Sequence, residues 1–390
     1  MKKFILFLSL LFLVGCGAKV IKIGAVLPQS GQWALYGNAV REGIELAAEY
    51  IKENKILNEQ IQIMWYDTNS KPTTAVEMME KAIDDGCVAI IGGITTSEAI
   101  KMIDLAQKKK IILMSPTASA AELSAKSTYF FRIFPSDKYE VTRAATFMVE
   151  ILGTKNLSIL YQDNEFSDFI SRNLEMEAKN LGVENSYRIK IMSDGFNIPE
   201  AVSQAISVRP NTIYIATYSD IFPRILMEIK SKNYAGKIVT TSAFNSPGLF
   251  SLVQSYAEEL YFFKPPFEPN DKNNAVCQNF VKKYKDIYGK DPDIFPAYGF
   301  DSLLVLVEGI KLGGTFTDEL YKGLRSISGI QGATGMISFT VQGEVLRYPR
   351  IYFIKGGQPI DFMEYQEAQR KEIIKKIEKE REELKNLQNK

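Results

Sequence analysis

The chain has 390 residues, more than one ordinary core accommodates, so two domains are expected. Its formal charge is nearly balanced at +1, which offers nucleic acid no basic excess, and it contains no histidine. That absence removes the commonest general base and metal ligand and with them most triad or zinc chemistry; no metal and no cofactor is expected, and an enzyme, which could still use aspartate or glutamate, is the less favoured reading.

At the start of the chain, Lys2 and Lys3 precede an apolar run from Phe4 to Val14. The run suits an export signal and is too short to span a bilayer. It closes on Leu13-Val14-Gly15-Cys16, which resembles a bacterial lipobox. Residues 1–15 would then be a lipoprotein signal peptide, and Cys16 the acylated first residue of the mature chain. No later stretch is long and apolar enough to cross a membrane. The expected location is the cell envelope, periplasmic or extracytoplasmic, with the body in water and a lipid anchor as the membrane contact. Cys87 and Cys277 remain, and read as two buried thiols rather than a disulfide.

From residue 20 onward strand and helix alternate. Residues 20–28 are β-branched and apolar and stop at Pro28, a buried strand. Residues 38–54 carry apolar side chains at 40, 44, 47, 48 and 51, a helical stripe. A strand over 61–67, a helix over 72–86 opened by Pro72 and closed by Gly86, and a strand over 88–93 follow. A helix over 97–110 and a strand over 111–116 complete the first unit. This rhythm predicts a parallel sheet with helices on both faces. After a connection near 135–139 it restarts, with helices over 143–153, 167–182, 198–207 and 221–234 and strands over 156–163, 186–192, 211–219 and 237–242. The proline-rich segment 263–271 reads as an extended crossover. Helices near 273–288 and 297–312 and strands over 335–346 and 350–360 follow. Residues 364–390 are almost wholly charged and predict a solvated terminal helix, with a dimerisation or partner helix as the alternative; Ile373, Ile377, Leu384 and Leu387 form a partial seam that Glu380 interrupts.

In open parallel sheets ligands sit beyond the carboxyl ends of the strands. The loops there hold Trp33 and Tyr36 after the first strand, Thr95, Thr96 and Ser97 after the third, and Thr117 and Ser119 after the fourth. A helix starting beside such hydroxyls offers free N–H groups and a partial positive charge to an anion. Helix capping competes for these hydroxyls, most strongly at Ser97, which is expected at an ordinary N-cap. There is no P-loop, no G-x-G-x-x-G after the first strand and no G-x-S-x-G elbow.

Five segments, beginning at Ile21, Ala89, Ile112, Tyr129 and Ala297, run IKIGAVLPQSGQWALYGNAVREGIELAAEYI, AIIGGITTSEA, ILMSPTASAAELS, YFFRIFPSDKYE and AYGFDSLL. In this order they resemble the type I periplasmic binding proteins of the leucine/isoleucine/valine class, the substrate-binding parts of ABC importers, across nearly all of residues 20–362. The resemblance implies an α/β fold of two doubly wound parallel-sheet lobes joined by three crossovers. Lobe one would comprise 20–138 with 268–343, and lobe two 139–266 with 345–362. It implies no enzyme activity, a small amino acid, carboxylate or amide as ligand, and ABC permease subunits as partners. A ligand-sensing receptor module on the same fold is the alternative. The resemblance further implies that Thr96, with Thr95 beside it, meets a ligand carboxylate. Thr117 and Ser119 would meet an ammonium, and Phe166 and Tyr218 would close over the ligand from lobe two. Members that bind amino acids carry an acid after the fourth strand of lobe two. Here that loop, 240–250, holds Phe244 and Asn245 and no acid; Asp220 or Asp163 would have to substitute. The implied ligand is therefore a carboxylate or amide with an apolar or aromatic body, ahead of a branched-chain amino acid.

Overall fold

The computed structural model describes residues 20–388; the signal segment and Cys16 lie outside the described residues. Lobe one opens with β1 (Val20–Leu27), α1 (Ala34–Glu53), β2 (Gln60–Asp67), α2 (Pro72–Asp84), β3 (Ala89–Gly92), α3 (Thr96–Lys109), β4 (Ile112–Ser115) and β5 (Phe130–Arg132). Its five strands are all parallel, in the order β2-β1-β3-β4-β5. The central strands are buried on both faces, which is why β3 and β4 read as unbroken apolar runs; β2, at the edge, alternates.

The second lobe contains α4 (Asp137–Thr146), β6 (Asn156–Gln162), α5 (Glu165–Asn180), β7 (Asn185–Ile191), α6 (Ile198–Ser207), β8 (Thr212–Ala216), α7 (Phe222–Ser231), β9 (Lys237–Thr240), α8 (Leu249–Val253) and β10 (Leu260–Lys264). The chain then returns to lobe one with α9 (Ala275–Tyr288), α10 (Ile294–Gly313), α11 (Thr317–Ser326) and the short pair β11 (Ile330–Gly332) and β12 (Gly335–Ile337). It crosses a third time to form β13 (Arg350–Lys355) and β14 (Gln358–Asp361), and ends in α12 (Phe362–Gln388). The second sheet runs β14-β13-β10-β9-β8-β6-β7. β13 lies antiparallel to β10, and Gly356 and Gly357, both at positive φ, make the two-residue turn into β14.

Each sheet is covered on both faces. Val40 and Ile44 of α1 and Phe300 and Leu303 of α10 pack with Ile23 and Leu27, while Met79 of α2 and Met102 of α3 pack on the opposite face. In lobe two, α6 and α7 cover one face and α4 and α5 the other. Cys87 and Cys277 are buried free thiols in separate clusters.

Two expectations need correction, and three elements were not anticipated. The helix expected from 143 begins at Asp137, because its first turn buries Asp137 and Glu140 and so carries no apolar stripe. The strand expected over 335–346 forms a ladder at Gly335–Ile337, with only single bridges beyond it, Phe339 to Val345 and Glu344 to Arg132. Beyond it the chain folds into a tight turn, with the Thr340 N–H donating to the Glu344 carbonyl oxygen at 2.7 Å and Gly343 at φ 76°. Helix α11 and strands β5 and β10 were not anticipated; the two strands are only three and five residues long.

Candidate functional site

The sheet orders locate the site. In lobe one the strand order reverses between β1 and β3, and in lobe two between β6 and β8. A crevice opens at such a reversal, beyond the strand ends. The loops after β1, β3, β4 and β5 therefore face those after β6, β8 and β9 across one interlobe cavity. Its lining holds Tyr36, Ile94, Thr95, Thr96, Thr117, Ala118, Ser119, Phe134 and Phe295 from lobe one and Phe166, Tyr218, Ser242 and Ala243 from lobe two.

Lobe one supplies the polar end. The α3 N-cap is Thr95 and not Ser97: the Thr95 hydroxyl accepts from Glu98 N–H at 3.3 Å, and Glu98 reaches back to the Thr95 N–H. Glu98 can take this role because it is wholly buried, with Thr68 Oγ1 donating to it at 2.6 Å; burial raises its pKa. The box consumes the Thr95 hydroxyl and leaves the Thr96 and Ser97 amides at the helix start without intrahelical partners. Ser97 instead donates to Glu165 of lobe two. The Thr96 N–H and hydroxyl face the Tyr218 phenol oxygen; burial nevertheless pushes the Tyr218 pKa far up. The Thr117 hydroxyl donates to the Ile94 carbonyl at 2.7 Å, and the Ser119 carbonyl accepts from Asp137 N–H at 2.8 Å.

Aromatic rings build the remaining walls. Tyr36 meets Phe295 edge to face at 4.9 Å, and Phe166 stacks on Tyr218 at 4.9 Å. Trp33 does not line the cavity but backs it, 4.8 Å from Tyr218. The Tyr36 hydroxyl bonds across the cleft to Ser219 Oγ at 2.8 Å and to Ser246 Oγ.

Seven of the residues singled out in the sequence meet at this cavity: Tyr36, Thr95, Thr96, Thr117, Ser119, Phe166 and Tyr218. Phe244 does not. A short turn over Ser242–Asn245, capped by Thr241, rotates it into the lobe-two core against Phe222 and Phe262. The same turn presents Ser242 and Ala243 instead, which the equivalence of β9 with β4 in the two sheets would have indicated. Asp220 sits at the cleft edge, accepting from Gln32 at 2.8 Å and Gln162 at 3.0 Å. Asp163 is an exposed partner of Lys190. Phe134 and Phe295 carried no sequence signal beyond apolarity.

Among the described residues no carboxylate lines the cavity. Glu140 stands behind Ser242, accepting its N–H at 3.0 Å and the Tyr214 hydroxyl at 3.4 Å; burial pushes its pKa up to about 7. Asp137 accepts the Ala121 N–H at 2.8 Å and is likewise pushed well up by burial. The site thus offers hydrogen-bond donors to an anion at one end, apolar rings along its sides, and no negative charge of its own.

Comparison with known proteins agrees with this architecture. The family model described as periplasmic binding protein matches residues 20–356. A leucine-, isoleucine-, valine-, threonine- and alanine-binding protein of Pseudomonas aeruginosa is 20% identical over 334 residues, 85% of this chain and 88% of that one. A leucine-binding protein from Thermotoga maritima superposes with a TM-score of 0.81 at 24% identity, covering 87% of this chain and 97% of the other. A solute-binding protein of an ABC transporter from R. palustris, solved with benzoate, superposes with a TM-score of 0.75 at 20% identity, covering 88% and 96%. At these identities the superpositions speak to fold, while the family model spans most of the chain. The chain belongs to the periplasmic binding protein family.

Proposed function

We propose that the protein is the solute-binding component of an ABC importer, exported and anchored through Cys16, and that it carries a small carboxylate or amide with an apolar or aromatic body. The carrying observation is the asymmetry of the cavity. The start of α3 and the Thr96 hydroxyl favour an anion, aromatic rings surround it, and no carboxylate of the described residues lies in the lining. A buried ammonium without a counter-charge is costly, whereas a carboxylate at a helix N-terminus is stabilised. Benzoate in the R. palustris protein shows that this fold accommodates such a ligand. A branched-chain amino acid is the second reading, supported by Thr117, Ser119 and Ser242, whose oxygens are among the polar groups of the lining.

The test is a thermal-shift panel on residues 17–390 with proteinogenic amino acids, aliphatic and aromatic carboxylates and small amides. A ligand at a hundredfold its dissociation constant stabilises by about 2.7 kcal/mol. Carboxylates or amides are expected to score where leucine does not, and Thr96→Val is expected to weaken the hit about tenfold or more through the lost hydrogen bond to a charged group. Tight leucine binding with no response to carboxylates would reverse the order of the two readings.

A further inference from the structure

The acid that caps α3 stands directly behind the end of the cavity where a ligand's negative charge is expected. Glu98 is wholly buried in the first turn of the helix, and its partners are neutral donors, Thr68 Oγ1 at 2.6 Å and the Thr95 N–H at 3.4 Å. Among the described residues no lysine or arginine pairs with it. Thr68 is held in place by its neighbour. Asp67 accepts the Gln29, Ser30 and Asn69 N–H groups at 2.9, 3.1 and 2.8 Å. Burial would raise the Asp67 pKa, but its bonds from Ser30, Asn69 and Gln29 outweigh burial and keep it below the usual carboxylate range. Asp67 is therefore a second negative charge beside Glu98.

Thr95 and Thr96 line the cavity, and Tyr218 in its opposite wall already feels the Glu98 charge. A ligand carboxylate at the start of α3 and an ionised Glu98 would be two like charges sharing one partly positive helix end in a buried site. Two such carboxyls hold a proton between them. The other charged groups on the elements around the start of α3 do not relieve the repulsion. Glu165 of α5 is a further acid, bonded to Ser97. Lys71, the cap of α2, is exposed. Arg132 of β5 is committed to Glu344, and Arg172 of α5 to Asp168. Glu122, before β5, accepts from Asn173. Of the two carboxyls, the ligand's has the Thr96 and Ser97 amides and the Thr96 hydroxyl before it, whereas Glu98 has one short bond and one long one. The proton therefore goes to Glu98, whose O–H can donate to the Thr68 hydroxyl once that bond reverses.

We propose that Glu98 sets the charge selectivity of the cavity: a carboxylate that binds at the start of α3 draws a proton from solvent onto Glu98, and a neutral amide draws none. The proposal rests on the reading of the α3 end as the seat of a carboxylate. Glu98 acts as a positioning residue, since it touches the ligand only through the helix start.

Titration calorimetry of residues 17–390 with benzoate and with benzamide, in buffers of differing ionisation heat from about pH 5 to about pH 8, counts the protons. Benzoate binding should take up close to one proton where Glu98 is ionised in the free protein, and its affinity should fall by up to about tenfold per pH unit there. Benzamide binding should take up none. Glu98→Gln, which preserves the capping box, should bind benzoate without uptake and with a flat pH profile. Glu140→Gln should leave the uptake as in the parent. Leucine replaces benzoate if benzoate does not bind, since its carboxylate takes the same seat. The proton count on the parent chain stands without any variant. A carboxylate bound with no proton taken up, uptake that persists in Glu98→Gln, or uptake that Glu140→Gln removes would each overturn the proposal and leave the carboxylate seat in place. No binding of either carboxylate at millimolar concentration would overturn both.

Discussion

Glu140 shows how a single buried group ties the site to solution conditions. It is enclosed in lobe two, with Ser242 N–H and Tyr214 O–H as its donors, and burial lifts its pKa from 4.5 to about 7. The folded chain therefore holds this proton more tightly than the unfolded chain. Its contribution to stability is fully present below about pH 4.5 and is lost as pH rises through 7. Glu140→Gln keeps an acceptor for both donors and removes the titration. Relative to the parent, it should gain on the order of 2–3 kcal/mol in denaturant melts between pH 5 and pH 8. A pH-independent difference would show that Glu140 does not titrate in this window. At this scale the sequence was readable where side chain and loop position together define a chemistry, as with the hydroxyls at Thr95, Thr96, Thr117 and Ser119. It was not readable where one turn of backbone decides which way a side chain faces. Phe244 lies two residues from Ser242, and only the turn over Ser242–Asn245 sends one to the core and the other to the cavity. The Thr95 and Ser97 roles were exchanged for a similar reason: the cap is set by where α3 starts, and sequence alone places helix ends to within a residue or two.

The elements were legible through their periodicity, and the exceptions share a cause. Strand β5 is too short to show a pattern, and the first turn of α4 buries acids instead of apolar side chains. Close contact between elements far apart in sequence was not legible at all. Helices α1 and α10 approach until backbone meets backbone: a Cβ on Gly43 would overlap the Pro296 carbonyl, and one on Gly299 the Val40 carbonyl. This contact matters for the site, since α1 carries Tyr36 and α10 carries Phe295, and the two rings meet at 4.9 Å in the cavity wall. Gly43→Ala should therefore push the helices apart, lowering stability by about 1–3 kcal/mol. It should also weaken ligand binding, although Gly43 does not line the cavity. Denaturant melts and ligand titration on the same variant check both; normal stability with normal affinity would mean that the helices relax without moving the rings.

On the scale of the whole molecule, three chain crossings and a set of interlobe bonds divide the labour. The crossings are braced by charge. Arg132 at the end of β5 is wholly buried and pairs with Glu344 in the third crossover, which also accepts from Lys138 at 3.1 Å in the first. Arg132 further donates to the Ala120 carbonyl at 2.8 Å, which fixes the loop carrying Ser119. These contacts lie among the crossings and not across the cleft. The bonds at the cleft are different in kind, because they exist only when the lobes meet. Tyr36 bonds Ser219 and Ser246, Gln32 bonds Asp220, and Ser97 bonds Glu165. A ligand that touches both lobes draws on the same closed arrangement, so these bonds are linked to affinity through the open–closed equilibrium. Ser219 and Ser246 do not line the cavity, so replacing them tests closure without removing a ligand contact. Each hydrogen bond contributes about 1 kcal/mol net, so the double variant Ser219→Ala/Ser246→Ala should need up to about thirtyfold more ligand to reach the same compaction in X-ray scattering. The fully liganded shape should be unchanged. Equal midpoints for parent and variant would mean that closure is driven by the ligand and the hinge alone, and that the Tyr36 hydroxyl contributes nothing to holding the lobes together.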